Sequence, residues 1–369
     1  MKRILLCLFL TSVFLCGSCF AAETDIGTKQ RESFGVDAVE SALPEEAEDM
    51  LGEVSVDADL NLSEKLSNLW DATIRTLSEH LHTGLRSVAM ILIITALCAL
   101  AETMGENNAA KTVISLGGVL AVATVVIGNV SSFFQLGTRA LTTLSQFSKA
   151  LLPCMAATAA ASGAIGAAAA QGAATALFLD VLLTAMNSLV MPLIYAYTAA
   201  VIADAAVGGT ALSAAAKLMK KLCTLLLTLL VTAFTVYFSI TGVLSGAAGQ
   251  LSIKLTKTAV SAALPVVGSI LSDAASSVLA GAAILKNTVG IFGLLVVLAV
   301  CLTPMLTLGC YLLLYKLAAA VTETLSDKRM GSLIGGIGDA FGMVLAAVGA
   351  GGFILLFSII TSIRAVSMT

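Results

Sequence analysis

Charged residues are scarce in this chain. Only 12% of its 369 residues are charged, whereas 58% are hydrophobic and the mean hydropathy is +0.99. An average soluble domain is about 25% charged, so this composition excludes a soluble globular protein. Apolar segments of this extent also exclude a disordered chain. No basic stripe with interleaved aromatic residues occurs, so nucleic-acid binding has no support. We therefore expect a membrane protein with several spans.

Motifs of common catalytic sites are also missing. The chain has no Walker A, dinucleotide, Gly-x-Ser-x-Gly or His-Glu-x-x-His pattern, so we assign no catalytic or cofactor-binding residue. Its one Cys-x-x-Cys starts at Cys16 in the leader, and five other cysteines are scattered through apolar stretches, so we expect no disulfide framework and no metal site. Gly336-Ile337-Gly338-Asp339 matches the Gly-x-Gly-Asp of aspartyl intramembrane proteases, but no Tyr-Asp partner occurs. We predict a protein that is not an enzyme.

The N-terminus has the pattern of a secretory signal peptide. Two basic residues precede the apolar run 4–15, and small residues at Cys19 and Ala21 precede a polar break. The favoured interpretation is cleavage after Ala21, which makes residues 1–21 the signal peptide. Lipidation at Cys19 and an uncleaved membrane anchor are the alternatives.

Two segments precede the predicted membrane domain. Residues 22–59 are strongly acidic, with twelve acidic and two basic residues after position 22, and are predicted to be an extracytoplasmic tail that is solvated and mostly disordered. A docking segment is the alternative. Residues 60–84 place apolar residues, Trp70 among them, at helical spacing opposite charged residues, which predicts an amphipathic helix at the membrane interface. A helix packed on other protein is the alternative there.

Residues 85–369 are predicted to form an all-α, multi-pass membrane helix bundle. Two segments rich in Ala, Gly and Ser, residues 150–172 and 262–285, each contain a Leu-Pro near their start and either span or are re-entrant. Six other segments are long and apolar enough to span a bilayer: 86–101, 112–132, 175–203, 222–246, 288–315 and 340–363.

Proline spacing suggests an internal repeat. Pro153 and Pro265 are separated by 112 residues, and so are Pro192 and Pro304, which gives the candidate repeats 113–203 and 222–315. Paired halves with broken helices are typical of many transporters. The halves would be parallel if the Leu-Pro segments re-enter and inverted if they span.

Polar and hinge residues in the apolar region form the candidate site. Asp273 is the strongest candidate, because ionisable residues at membrane depth are costly and commonly functional. Gly338 and Gly342 have the spacing that permits close helix packing. The candidate conduit or hinge residues are Pro153, Pro192, Pro265, Gly268, Asp273, Lys286 and Pro304.

Basic residues predict the orientation. A cleaved signal peptide places the mature N-terminus outside, and six spans then place the loops 102–111, 204–221 and 316–339 in the cytoplasm. The positive-inside rule agrees with this arrangement, because these loops carry Lys111, Lys217, Lys220, Lys221, Lys316, Lys328 and Arg329.

Several motifs in the C-terminal half carry a family resemblance. They are Thr258-Ala-Val-Ser-Ala-Ala-Leu-Pro-Val-Val-Gly268, Leu271-Ser-Asp273, Leu285-Lys-Asn-Thr-Val-Gly290, Cys301-Leu-Thr-Pro304, Tyr315-Lys-Leu-Ala-Ala-Ala320 and Asp327-Lys-Arg-Met330. In these motifs the chain resembles the stage III sporulation protein AE family of endospore-forming bacteria. The resemblance is specific over 258–363 and architectural before that.

The resemblance implies a non-enzymatic membrane core component of a channel complex between mother cell and forespore, required for sporulation. It implies a location in the mother-cell membrane around the forespore. The implied partners are the other subunits of the channel complex, an ATPase and ring-forming subunits among them, together with a forespore-side protein, an Oxa1-type membrane insertase and the lipid bilayer. An autonomous secondary transporter with paired broken-helix repeats and a structural scaffold are the alternatives from other classes.

Overall fold

The structure, a computed structural model, describes residues 31–52, 55–56, 62–104, 108–161, 167–263, 268–325 and 328–367. Within these ranges, the backbone alone is described for residues 62, 108, 167–171, 241–263, 268–280 and 364–367. The predicted signal peptide, residues 1–21, lies outside the described residues. Almost every described residue is helical and none forms a strand, which confirms the predicted all-α class.

Besides the helical residues 31–34, the described residues form nine α-helices and one π-helical turn. Two helices are short, α1 (Val36–Ser41) and α2 (Glu45–Leu51). The others are longer: α3 (Leu62–Met104), α4 (Asn108–Ala161), α5 (Ala167–Ala185), the π turn (Met186–Val190), α6 (Met191–Val207), α7 (Thr210–Ala263), α8 (Gly268–Leu325) and α9 (Lys328–Ser367).

Consecutive long helices pack against each other, so the chain runs back and forth through one bundle. Helices α5 and α6 form one rod through the π turn. The links α3–α4, α6–α7 and α8–α9 therefore lie at one end, which we call the basic end because it carries the seven basic residues that predicted the orientation. The links α4–α5 and α7–α8 lie at the opposite end.

An aromatic cluster joins the central helices. The Phe133 ring of α4 lies 4.0 Å from the Tyr311 ring of α8 and 4.9 Å from the Phe341 ring of α9, measured between centroids. The buried Tyr311 hydroxyl donates a hydrogen bond of 2.8 Å to the His80 carbonyl of α3. Aromatic contacts of this kind contribute about 0.5–1.5 kcal/mol each beyond the burial of their area, so the cluster holds four helices together.

The acidic N-terminal segment packs on the bundle through its helices α1 and α2. Val36, Val39, Ala47 and Leu51 are fully buried. The Lys65 ammonium of α3 donates 2.8 Å to the Leu51 carbonyl, which caps the end of α2. The prediction of a solvated, disordered chain is therefore wrong for residues 36–51, because their apolar residues are buried against the long helices; the docking alternative describes them.

Helix α3 runs without interruption from Leu62 to Met104. The segment predicted to be an interfacial helix, residues 60–84, and the first predicted span thus share one helix, and the predicted domain boundary lies inside it. Trp70 is 54% exposed, whereas Leu69 beside it is buried.

Six helical stretches of the described residues are long and apolar enough to cross a membrane, as the sequence predicted. They are Ser63–Met104, Ala109–Ala161, Gly172–Val207, Thr210–Ile240, Gly281–Leu325 and Lys328–Ile363. The chain is a multi-pass membrane protein.

The two Leu-Pro segments belong largely to long helices. Residues 150–161 complete α4, and residues 268–285 begin α8. Pro153 lies inside α4, whereas Pro265 lies outside the described residues. These positions do not confirm a re-entrant helix or the repeat at an offset of 112 residues, and both stay predictions.

Candidate functional site

A cavity of about 770 Å³ lies at the basic end, where helices α6, α7 and α9 meet. Small residues such as Ala205, Ala214 and Gly336 form part of its wall and leave its volume unfilled. Its polar lining consists of Tyr197, Asp204, Thr210, Ser213, Lys217, Lys220, Lys328, Arg329, Ser332 and Asp339. We call this space the basic cavity.

A two-glycine link forms the floor between α6 and α7. Gly208 has a φ of 72° and Gly209 a φ of 129°, a backbone conformation that residues with a Cβ rarely adopt. The reversal is therefore tight enough for α7 to begin at Thr210. A Cβ placed on Gly208 would lie 3.5 Å from Nη2 of Arg329, so this guanidinium lies against the link.

Asp339 of α9 ties three helices together beside the cavity. Its Oδ2 accepts from the Lys220 ammonium of α7 at 2.7 Å, and its Oδ1 accepts from the Lys316 ammonium of α8 at 2.7 Å. Lys316 also donates to the Gly335 carbonyl at 3.1 Å. We call these residues, Lys220, Lys316 and Asp339, the ionic triad.

The ionic triad includes Asp339, the aspartate of the Gly-x-Gly-Asp pattern. Aspartyl proteolysis needs two carboxylates that share a proton, whereas each oxygen of Asp339 is held by its own ammonium group. Asp204 lines the same cavity. The geometry around Asp339 is that of an ion-pair junction.

Glycines on one stretch of α9 allow its neighbours to approach. Gly338 faces the Lys316 side chain, 3.5 Å from a Cβ built on it, and Gly342 faces Leu312 at 3.4 Å, so both predicted packing residues face α8. Gly336, which sequence reasoning did not single out for packing, faces α6: a Cβ there would lie 2.6 Å from Cγ1 of Val201.

The lining of the basic cavity carries a surplus of positive charge. Four cationic side chains face two carboxylates. Neither Lys217 nor Lys328 has an ion-pair partner in the part of the chain that the structure describes. From the sequence, these lysines indicated only the orientation of the chain. The residues around positions 217 and 328 do not show that the two lysines line the same cavity.

The predicted conduit and hinge residues are spread over the bundle. Pro153 is exposed on α4, Pro192 is exposed at the start of α6, and Pro304 is buried in α8. Lys286 lies 18 residues before Pro304 on α8, a distance of about 27 Å along the helix axis. Gly268 begins α8, and the side chains of Asp273 and Pro265 are outside what is described.

Lys286 is the most unusual of these residues. Its side chain is 1% exposed, and its Nζ has no hydrogen-bond partner among the described groups. One turn further along α8, Gly290 contacts Ile363 of α9 and Met155 of α4. An ammonium group in such surroundings is costly.

The π turn at Met186–Val190 is a feature that sequence reasoning missed. It precedes Pro192, whose missing N–H interrupts the regular helical bonding. Asn187 in this turn donates 3.0 Å to the Thr142 hydroxyl of α4, so the turn aims a polar side chain at a neighbouring helix. The signal that could have found it is Pro192 inside an otherwise continuous apolar helix.

Comparisons with known proteins identify the family. A family model described as "Stage III sporulation protein AE" matches residues 49–366. The chain is 24% identical over 290 residues to the stage III sporulation protein AE of Bacillus subtilis (strain 168), across 76% of this chain and 71% of that protein. No solved structure matches. Because the family model covers most of the chain, the protein belongs to the stage III sporulation protein AE family, as its C-terminal motifs indicated.

Proposed function

We propose that the chain is a non-enzymatic membrane core subunit of a channel complex that connects the mother cell with the forespore. Family membership supports a role in sporulation, and the six apolar helices make it a multi-pass membrane protein. In this proposal its membrane is the mother-cell membrane that surrounds the forespore.

The observation that carries the proposal is the length of the helices. Helices α4 and α8 contain 54 and 58 residues, so they are roughly 81 and 87 Å long. About 20 helical residues cross the hydrocarbon core of roughly 30 Å. The helices α4 and α8 therefore exceed the hydrocarbon core by roughly 51 and 57 Å, counted over both of their ends.

Polar contacts support an extension at the end opposite the basic cavity. Lys149 of α4 pairs with Asp180 of α5 at 3.1 Å, and Arg139 of α4 lies 3.9 Å from Glu46 of α2. These four side chains are between 37% and 71% exposed, which suits water better than hydrocarbon.

Orientation then assigns the two ends. The positive-inside rule puts the basic end in the cytoplasm, so the extension and the docked helices α1 and α2 reach into the space between the two membranes. Ring-forming subunits would meet the chain there, the ATPase would act from the cytoplasmic side where ATP is present, and an Oxa1-type insertase would assist insertion into the bilayer.

Non-enzymatic function is supported by the ionic triad. Asp339 is the one residue of this chain with a protease-like local pattern, and both its oxygens accept from lysines. An unchanged sporulation phenotype of Asp339→Ala would remove the protease reading. If Asp339→Ala instead abolished sporulation, and only variants with a carboxylate at position 339 sporulated, the protease hypothesis would be supported again.

A secondary transporter is the second candidate, favoured by the buried Lys286. Ionisable residues inside the bundle commonly line substrate or ion paths. Purified protein alone in liposomes separates the two candidates, because an autonomous transporter moves its solute without partners and a complex subunit does not.

Deletion of the gene in its own host tests the proposal. Starved cells are imaged after engulfment, and the wild-type gene is returned as the control. We expect small forespores that lose late gene expression, with normal vegetative growth. Normal spores together with altered vegetative uptake or efflux would contradict the proposal and favour the transporter.

Conduit residues are tested in the same assay. Pro265→Ala and Asp273→Asn are compared with the wild type at equal protein abundance. The conduit hypothesis expects fewer spores from each variant. Wild-type spore numbers from both variants would show that these residues do not line the passage.

A further inference from the structure

The basic cavity has the charge of an anion site. Its lining includes Lys217, Lys220, Lys328 and Arg329, and Asp339 already neutralises part of the charge of Lys220. Lys217 and Lys328 keep their charge unpaired within the described chain. An anion entering the cavity would therefore meet cations that internal carboxylates do not satisfy.

Two helix starts add directed donors to this charge. The first turn of α7 contributes Thr210 and Ser213, and the first turns of α9 contribute Lys328, Arg329 and Ser332. The first N–H groups of a helix have no intrahelical acceptor and favour anions. Hydroxyl and backbone donors thus lie beside the cationic side chains.

The volume of the cavity and its position in the membrane indicate which class of anion it accepts. A volume of about 770 Å³ exceeds what a simple ion needs and is typical of sites for small organic ligands. Asp339 lies 11 residues into α9, about 17 Å from its start, which puts the cavity near the predicted cytoplasmic membrane surface. Basic pockets between membrane helices on this side commonly receive phosphate-bearing lipid headgroups.

We infer that the basic cavity binds a phosphate group, with Lys217, Lys328 and Arg329 as its charged contacts and Thr210, Ser213 and Ser332 as hydroxyl donors. The group comes from an anionic phospholipid headgroup or from a soluble phosphate, and the chemistry at the protein is the same for both. This binding does not depend on whether the chain forms a conduit.

Binding is measured on the purified full-length chain in detergent by native mass spectrometry. The first probe is phosphatidylglycerol, with phosphatidylcholine as the zwitterionic control. The second probe is inorganic phosphate, added alone and as a competitor at an ionic strength matched with ammonium acetate, because salt screens exposed charges and native mass spectrometry requires a volatile salt.

Two double variants with the same change of charge are compared. Lys217→Gln with Arg329→Gln removes two cations of the cavity, whereas Lys111→Gln with Lys221→Gln removes two cations of the same end that do not line it. At about fivefold for each cation, we expect the cavity variant to bind phosphatidylglycerol about 25-fold more weakly and the control to change by less than about twofold.

Each outcome decides the inference. Phosphatidylglycerol binding that the cavity variant loses supports a lipid source, and inorganic phosphate binding that it loses supports a soluble source. Binding of neither probe, or an equal loss in the control variant, overturns the inference in favour of diffuse surface charge. If the double variant fails to fold, Lys217→Gln at its exposed position is expected to weaken binding about fivefold, and unchanged binding overturns the inference.

Discussion

The ionic triad gives the sharpest prediction of stability. Asp339→Asn keeps the size of the side chain but removes the charge that Lys220 and Lys316 contact at 2.7 Å each. One ammonium group then keeps the neutral amide oxygen as its acceptor, the other faces an NH2 group that cannot accept, and the two ammonium groups remain close to each other. We therefore expect helices α7, α8 and α9 to be held together less strongly.

The magnitude follows from exposure. The Lys220 and Lys316 side chains are 48% and 45% exposed, so solvent screens both pairs, although Asp339 is 25% exposed. Exposed pairs contribute about 0.2–1 kcal/mol each, so the loss of both pairs in Asp339→Asn should lower the free energy of unfolding by about 0.4–2 kcal/mol. Asp180→Asn is the matched control: its partner Lys149 is 58% exposed, and we expect a loss of about 0.5 kcal/mol or less.

The assay is equilibrium unfolding in mixed micelles, followed by circular dichroism. A double-mutant cycle of Asp339→Asn with Lys220→Gln isolates the coupling of that pair. We expect a favourable coupling of about 0.5–1 kcal/mol. A loss no greater than that of Asp180→Asn, together with zero coupling, would refute the view that the triad is a stabilising junction.

Three further substitutions test the packing, the link and the buried cation by the same unfolding assay. Gly336→Ala brings a Cβ to 2.6 Å from Val201, so we expect the free energy of unfolding to fall by about 1–3 kcal/mol. The control Gly117→Ala places its Cβ in open space and should gain stability. Equal effects of the two substitutions would contradict the close contact of Gly336 with Val201. Gly208→Ala forces φ near 72° on a residue with a Cβ, so we expect the free energy of unfolding to fall by about 1–2 kcal/mol. An unchanged midpoint of the unfolding transition would disprove this. Lys286→Met replaces a buried ammonium, which has no partner among the described groups, by an apolar side chain of similar length, so we expect higher stability. If Lys286 also serves transport, spore numbers fall in that more stable variant; lower stability would show that the ammonium has a stabilising partner.

Hydropathy predicted the spans because crossing a bilayer requires a long apolar helix. The six predicted spans agree in number and order with the six apolar helices. The full length of α4 and α8 was not predictable in this way, because the helices continue through residues whose apolar character does not distinguish membrane from buried protein.

Docking of the acidic segment was missed for a related reason. Its charge suggested a solvated chain, but Val36, Val39 and Leu51 form a small apolar face that is buried only when long helices are present to receive it. The average composition of the acidic segment does not reveal this apolar face.

The site was hidden because its members are distant in sequence. Lys220, Lys316 and Asp339 belong to three helices, and only the antiparallel packing of α7, α8 and α9 brings their charges together. Gly338 and Gly342 could be found from local spacing, whereas the contact of Gly336 with Val201 depends on α6.

The projection of the bundle beyond the bilayer, at the end opposite the basic cavity, is tested most directly by labelling with a membrane-impermeant maleimide. Single cysteines replace Arg139 in the proposed extension, Lys221 at the basic end and the lipid-level Leu120, in a chain whose native cysteines are replaced by alanine. In protoplasts of vegetative cells that produce the chain in their plasma membrane, we predict that the cysteine at 139 reacts when the protoplasts are intact, that the one at 221 reacts only after permeabilisation, and that the one at 120 stays unlabelled. Labelling at 221 but not at 139 in intact protoplasts would contradict the orientation, and no labelling at 139 under either condition would contradict the extension.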